Sequence, residues 1–194
     1  MTSPDVRWDA GGLTAADRWS ALGHAGATLW LTGLPSSGKS TIAGAAEAQL
    51  VASGRPALRL DGDNLRHGLN GDLGFSARDR AENVRRTAHA AALLAEAGVV
   101  AVASLVSPYV SDRLAVRALH DERGLPFFEI HVSTPLEECE RRDTKGLYAR
   151  ARAGELTGMT GIDDPYEPPA AAELVVDGRQ PLEQSVPRLL ALLS

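Results

Sequence analysis

An α/β fold, a parallel sheet with helices on both faces, is what the chain's pattern predicts, on three observations. Short apolar segments of strand length alternate with longer segments of helical spacing from residue 27 onward. A glycine-rich turn leads from the first of these strands into a stretch of helix formers. An acidic run closes the second strand, so both polar clusters fall beyond strand carboxyl ends, where open α/β sheets bind ligands. With 194 residues and 44% hydrophobic content, the chain suits one compact domain spanning 1–194.

Ala27–Thr32 is apolar and reads as the first strand, and 41–52 as the helix after the glycine-rich turn. Gly54 and Pro56 punctuate before a second strand at 57–60. Ser76 with Asp79 three residues later resembles a helix N-cap, and Val84, Ala88, Ala91 and Leu94 recur at helical spacing until Gly98 stops the pattern. The run 99–106 has the length of a buried strand and is too short to span a membrane. A helix from Pro108 to about His120, a strand at 126–132 and a short helix opened by Pro135 follow. Residues 143–169 break into glycine, proline and charge over a length that suits a functional lid. Leu174–Val176 reads as the last strand, and 181–193 as a closing helix.

Lys+Arg is 20 against Asp+Glu 25, a formal net charge of −5. That balance argues against nucleic acid or an anionic membrane as partner, and any anionic ligand must meet local positive charge. Cys139 is the single cysteine, so no intramolecular disulfide framework exists and a reduced, cytoplasmic setting is the expectation. Residues 1–26 mix Asp5, Arg7, Asp9, Asp17 and Arg18 with small residues and lack the apolar core of a signal peptide. His24, His67, His89, His120 and His131 show no metal-ligand spacing, so no zinc site is expected.

Gly33-Leu34-Pro35-Ser36-Ser37-Gly38-Lys39-Ser40, followed by Thr41, satisfies the P-loop pattern in the strand-to-helix setting that the motif requires. Its glycines let backbone N–H groups surround phosphate oxygens at the positive end of the following helix. Lys39 is placed to reach the β- and γ-phosphates of ATP, and Ser40 to offer Mg²⁺ a hard oxygen ligand. The alternative, a glycine turn capping an ordinary helix, does not account for the complete pattern. Asp61-Gly62-Asp63-Asn64 sets two carboxylates at the end of the second strand, suited to accept a hydroxyl proton or to hold the metal through water. By itself such a cluster is more often a turn, and the P-loop is what raises its functional weight. Arg66 follows shortly, and Arg80 and Asn83 share a helix face as donors for phosphate or sulfate oxygens. Arg141, Arg142, Lys145, Arg150 and Arg152 make a basic run able to close over polyphosphate.

With these residues in view, the chain closely resembles the adenylyl-sulfate kinase family. Residues 60–86, LDGDNLRHGLNGDLGFSARDRAENVRR, are similar to that family's substrate-binding segment. Trp8 and residues 13–18 resemble its amino-terminal lead-in, Ser107-Pro108-Tyr109 its third-strand motif, and the stretches from Lys145 to Tyr148 and from Thr160 to Ile162 its lid. The resemblance implies transfer of the ATP γ-phosphoryl to the 3′-hydroxyl of adenosine 5′-phosphosulfate (APS), giving 3′-phosphoadenosine 5′-phosphosulfate (PAPS), in a three-layer fold like that of nucleotide kinases. It makes Asp63 the base or metal-side carboxylate, with Asp61 beside it, and Arg66, Arg80 and Asn83 the phosphosulfate contacts. Phe75 is implied to stack on the substrate adenine, Val106, Ser107 and Pro108 to line the acceptor site, and Lys145, Leu147, Met159, Gly161 and Ile162 to enclose it. Arg142 is implied to lie over the ATP base. A homodimer, and coupling to an ATP sulfurylase in sulfate assimilation, are implied by the resemblance alone.

Ser107 matches the serine proposed in the family as a phosphorylated intermediate. No activating base for it is evident, and positioning plus charge stabilisation suffices, so direct in-line transfer is the favoured expectation. Met159 stands where an aromatic commonly precedes Thr-Gly-Ile, which leaves a thioether as the second face of the adenine site. A P-loop kinase for another hydroxylated acceptor is the runner-up, since the motifs specify the ATP site better than the acceptor. A nucleotide-binding regulator without turnover is the rival of a different class, opposed by the intact Lys39, Ser40 and Asp63.

Overall fold

The computed structural model describes residues 5–7, 9 and 11–194, so Trp8 lies outside the described residues. The strands are β1 (Ala27–Thr32), β2 (Ala57–Asp61), β3 (Val100–Ser104), β4 (Phe127–Val132) and β5 (Leu174–Val176). They form one five-stranded sheet in the order β2-β3-β1-β4-β5, and every pairing is parallel. The helices are α1 (Ala15–Leu22), α2 (Lys39–Ala52), α3 (Gly62–Leu65), α4 (Ala77–Glu96), α5 (Val110–Glu122), α6 (Leu136–Arg142), α7 (Leu147–Arg152) and α8 (Leu182–Leu190), the last continuing into a 3₁₀ turn at Ala191–Leu193.

The side-chain alternation of a strand sorts the core into two layers. Leu29, Leu31, Val100, Val102, Ile130 and Val132 pack with Ile42, Ala46 and Leu50 of α2 and Leu189 of α8. Trp30, Ala101 and Ala103 face the other way, onto Val84, Ala88 and Ala91 of α4 and Val116 of α5. Both faces are therefore covered, which is why β1 is buried throughout and reads as one apolar run. Burial of side chains as large as Leu29, Trp30 and Leu31, all at 0% exposure, stabilises the fold by about 1.5–3 kcal/mol each. No helix of the described residues is long and apolar enough to cross a membrane.

The strand and helix order agrees with the pattern read from sequence, and the differences have local causes. α2 begins at Lys39, not at 41, because Gly38 adopts φ 102° and turns the chain into the helix immediately. β3 ends at Ser104, and Ser107 at φ 37° carries the chain away from the sheet. Pro187 lies inside α8 and cannot donate its backbone hydrogen bond, and the closing segment ends as a 3₁₀ turn. α1 was not foreseen; Thr14 and Asp17 cap it reciprocally, with Asp17 N–H donating to Thr14 Oγ1 and Thr14 N–H to Asp17 Oδ2. Within 143–169 the chain forms α7 and a bridge between Thr160 and Asp164.

Candidate active site

The P-loop is built by three residues at positive φ, Gly33 at 152°, Ser36 at 59° and Gly38 at 102°, which turn the backbone between β1 and α2. Lys39 is nearly buried, and its Nζ donates to the carbonyls of Gly33 at 2.9 Å and Leu34 at 2.7 Å and to Ser37 Oγ at 3.3 Å. Burial pushes its ammonium down to about 8, against the pull of Cys139, Asp61 and Asp63. The loop is braced from behind by Thr134 Oγ1, which donates to the Ser37 carbonyl at 2.7 Å, and by Tyr148 OH, which donates to the Pro35 carbonyl at 3.0 Å. Gly178 approaches so closely that a Cβ there would lie 2.0 Å from the Ser37 carbonyl oxygen.

The acidic run is a helix cap. Asp61 ends β2 and accepts the N–H groups of Asp63 and Asn64 on Oδ1, which starts α3. Its Oδ2 accepts Ser40 Oγ at 2.7 Å and Ser104 Oγ at 2.9 Å. Burial raises this carboxyl, but the hydrogen bonds from Ser40, Ser104 and the two backbone groups outweigh it and hold Asp61 below the ordinary aspartate value. Asp63, two residues on, is exposed and pairs with Lys145 of the lid. The two carboxylates thus differ in kind, one tied into the floor and the other exposed at the mouth in an ion pair with the lid.

Opposite the P-loop stands a wall of donors. The Arg66 guanidinium lies 4.3 Å from the Phe75 ring centroid and donates to the carbonyls of Leu73 and Gly74, while the Arg80 guanidinium sits 6.0 Å from the same ring. The Phe75 ring is 66% exposed, an open face for another planar group. Arg80 Nη2 donates to the Gly158 carbonyl at 2.6 Å, so α4 and the lid are tied at the rim. Pro35–Thr41, Asp61, Asp63 and this wall enclose one cleft of about 730 Å³, completed by Asn83, Val106, Ser107, Pro108, Arg142, Lys145, Leu147 and Met159.

A model of the adenylylsulphate kinase family matches residues 25–177. The chain belongs to that family. It is a phosphotransferase of the APS kinase type. It is 49% identical over 189 residues to the adenylyl-sulfate kinase of Shewanella amazonensis, covering 97% of this chain and 94% of that one. It is 47% identical to the chloroplastic adenylyl-sulfate kinase 1 of Arabidopsis thaliana, over 94% of this chain and 67% of that one. The structure of the Mycobacterium tuberculosis APS kinase in complex with AMPPNP and APS matches with a TM-score of 0.85 at 48% identity, over 88% of this chain and 98% of that one. A gluconokinase from Sinorhizobium meliloti, at 19% identity and a TM-score of 0.53, shares the fold alone.

In this kinase several residues singled out from sequence also make packing contacts of their own. Gly161 and Ile162 line a separate, smaller pocket with Leu34, Asp163, Asp164, Pro165 and Tyr166. Gly161 adopts φ 91°, a backbone conformation that favours glycine, with the Leu34 side chain close beside it. Gly33 is set by contact too, since its Cβ would lie 2.6 Å from the Val132 carbonyl oxygen. Met159 reaches the cleft but is 5% exposed, packed with Cys139 and Tyr148 in the base of the lid. Arg142 lies against the P-loop, where it pairs with Glu138 and donates to the carbonyls of Ser37 and Gly178.

Sequence reasoning missed the supports. Ser104, Thr134 and Tyr148 hold the reacting loops by single hydrogen bonds, and their spacing carries no signal. Arg113 is 3% exposed, pairs with Glu129 at 2.6 Å, and donates to the carbonyls of Ser107 at 2.7 Å and Glu167 at 2.6 Å. It anchors the third-strand turn to the end of the lid segment, and only the packing of α5 against β4 brings these groups together.

Proposed function

We propose that the γ-phosphoryl of ATP passes in line to the 3′-hydroxyl of APS in this cleft, giving PAPS and ADP. The observation that carries the reading is the pairing of two anion-binding surfaces across one space: the P-loop with Lys39 on one side, and Arg66, Phe75, Arg80 and Asn83 on the other. The acidic turn lies between them. A planar base fits the open Phe75 ring, and phosphate and sulfate oxygens fit the guanidinium donors.

Lys39, at the loop carbonyls of Gly33 and Leu34, follows the transferring phosphoryl group. Mg²⁺ fits the hard oxygen set of the Ser40 hydroxyl and nearby carboxylates, and when bound it neutralises charge on the β- and γ-phosphates. Asp61 orients Ser40, and Asp63 accepts the proton of the acceptor hydroxyl once Lys145 has moved to the ligand phosphates. Lys145, Leu147 and Met159 close the cleft from the lid. Ser107 positions the acceptor: its Oγ accepts from Trp30 Nε1 at 3.2 Å, and no base stands beside it to generate an alkoxide. Homodimer assembly, a cytoplasmic location and supply of APS by an ATP sulfurylase belong to the same reading. The kinase segment's match to 27% of the Mycobacterium tuberculosis bifunctional enzyme CysN/CysC supports coupling to a second activity.

Coupled ADP release with ATP, Mg²⁺ and a panel of acceptors tests the proposal. Turnover with APS and none above background with AMP is expected. Equal turnover with an acceptor lacking the sulfuryl group would overturn it.

A further inference from the structure

Asn70 is fully buried in the loop between α3 and α4, behind the donor wall and outside the cleft lining. Its Nδ2 donates to Asn83 Oδ1 at 2.9 Å and faces Thr87 Oγ1 at 3.5 Å. Thr87, one turn after Asn83 on α4, donates its hydroxyl proton to the Asn83 backbone carbonyl at 2.7 Å. That commitment matters. With its only proton used, Thr87 Oγ1 presents lone pairs to Asn70, so the group of Asn70 that faces it is the NH₂ and not the oxygen. The same NH₂ then requires an acceptor from Asn83, whose Oδ1 turns inward. What Asn83 shows the cleft is therefore its own NH₂. Asn70 Oδ1 itself is buried with no hydrogen-bond partner among the described residues.

We propose that Asn70 is a positioning residue: with Thr87 it holds the Asn83 amide with its donor toward the cleft and its acceptor away, so that this part of the wall selects an anionic group of the acceptor. The inference rests on the reading of Asn83 as an acceptor-side contact. An unconstrained asparagine could offer either end to a ligand, and its carbonyl would repel phosphate or sulfate oxygen. The backing pair removes that choice before the substrate arrives.

The test measures kcat, the KM for APS, the KM for ATP and the melting temperature of the full chain for Asn70→Leu, Thr87→Val, Asn83→Ala and the double variant Asn70→Leu/Asn83→Ala. Asn70→Leu is expected to raise the KM for APS about 10-fold, the lower end for a lost hydrogen bond to a charged group, with the KM for ATP within about twofold. Thr87→Val keeps the side-chain shape and should move the KM for APS the same way by about threefold. In the Asn83→Ala background Asn70→Leu should add nothing, because the oriented amide is gone. Additive effects in the double variant, or KM values for APS and ATP that rise together with a falling melting temperature, would overturn the positioning role. An unchanged KM for APS in Asn83→Ala would instead remove the contact on which it rests. If Asn70→Leu does not fold, an unchanged KM for APS in Thr87→Val decides against the proposal.

Discussion

Ser40 Oγ donates to Asp61 Oδ2 at 2.7 Å, and this bond joins the start of α2 to the end of β2 across the intervening strand β3. Ser104 at the end of β3 donates to the same oxygen. The Ser40 hydroxyl, proposed above for the metal, is thereby oriented by a carboxylate whose own oxygens are saturated, while Asp63 stays exposed and pairs with Lys145.

Asp61→Asn and Asp63→Asn should therefore fail differently. The first sets an NH₂ where two hydroxyls donate, so we expect a loss of about 1–3 kcal/mol in stability and a raised Mg²⁺ requirement. The second touches an exposed side chain, and stability should stay within about 0.5 kcal/mol while kcat falls about 100-fold or more. Melting curves and kcat at saturating Mg²⁺, ATP and APS check both, and near-normal kcat in Asp63→Asn would take the proton-acceptor role from it. The four hydrogen bonds that Asp61 accepts are what tie its substitution to the fold.

Lys39 predicts a pH limit on nucleotide binding. Its pKa is lowered to about 8 in the free protein, and polyphosphate favours the charged form. Affinity for ATP should then hold below pH 7 and weaken as pH rises through about 8, with proton uptake on binding in that window. Calorimetry at pH 8.5 in two buffers of different ionisation enthalpy reads the uptake directly. No buffer dependence there would mean that Lys39 is already fully protonated.

Ser107→Ala should lower kcat less than about 10-fold, since only positioning is lost. It should also destabilise by about 1–3 kcal/mol, because the buried Trp30 Nε1–H loses its acceptor. Rapid-quench labelling with γ-labelled ATP decides the mechanism: a phosphorylated Ser107 that chases into PAPS at the rate of turnover would defeat direct transfer.

The Arg113–Glu129 pair is buried, so Glu129→Leu alone should cost about 3–5 kcal/mol by stranding a charge. Arg113→Met/Glu129→Leu should regain most of that stability in denaturant titrations. Activity should not return with it, since the carbonyls of Ser107 and Glu167 would still lack their donor. A double variant as active as the parent would reduce Arg113 to a structural ion pair.

The sheet and the nucleotide half of the cleft were legible because both rest on local rules. Strand burial on two faces writes continuous apolar runs such as Ala27–Thr32, and a phosphate loop needs its glycines and Lys39-Ser40 at set spacing. Arg80 and Asn83 came first from their spacing on one helix face and Phe75 from resemblance over 60–86, and all three line one cleft with the P-loop. Gly161 and Ile162 line the neighbouring pocket, and resemblance over a lid conveys membership of the segment but not which side chains face inward.

Only the tertiary structure gave the physical difference between Asp61 and Asp63, two residues apart in one run. Burial and hydrogen-bond partners make the difference, and those partners, Ser40, Ser104 and Lys145, lie 21, 43 and 82 residues away along the chain. The same holds for Asn70 behind Asn83 and Arg113 beneath Ser107. Residue type and spacing determined which chemistry the chain could perform, because backbone turns and helix faces are set by near neighbours. Which carboxylate, which amide end and which lid residue take part was decided by contacts between distant segments, whose hydrogen-bond directions no local period encodes.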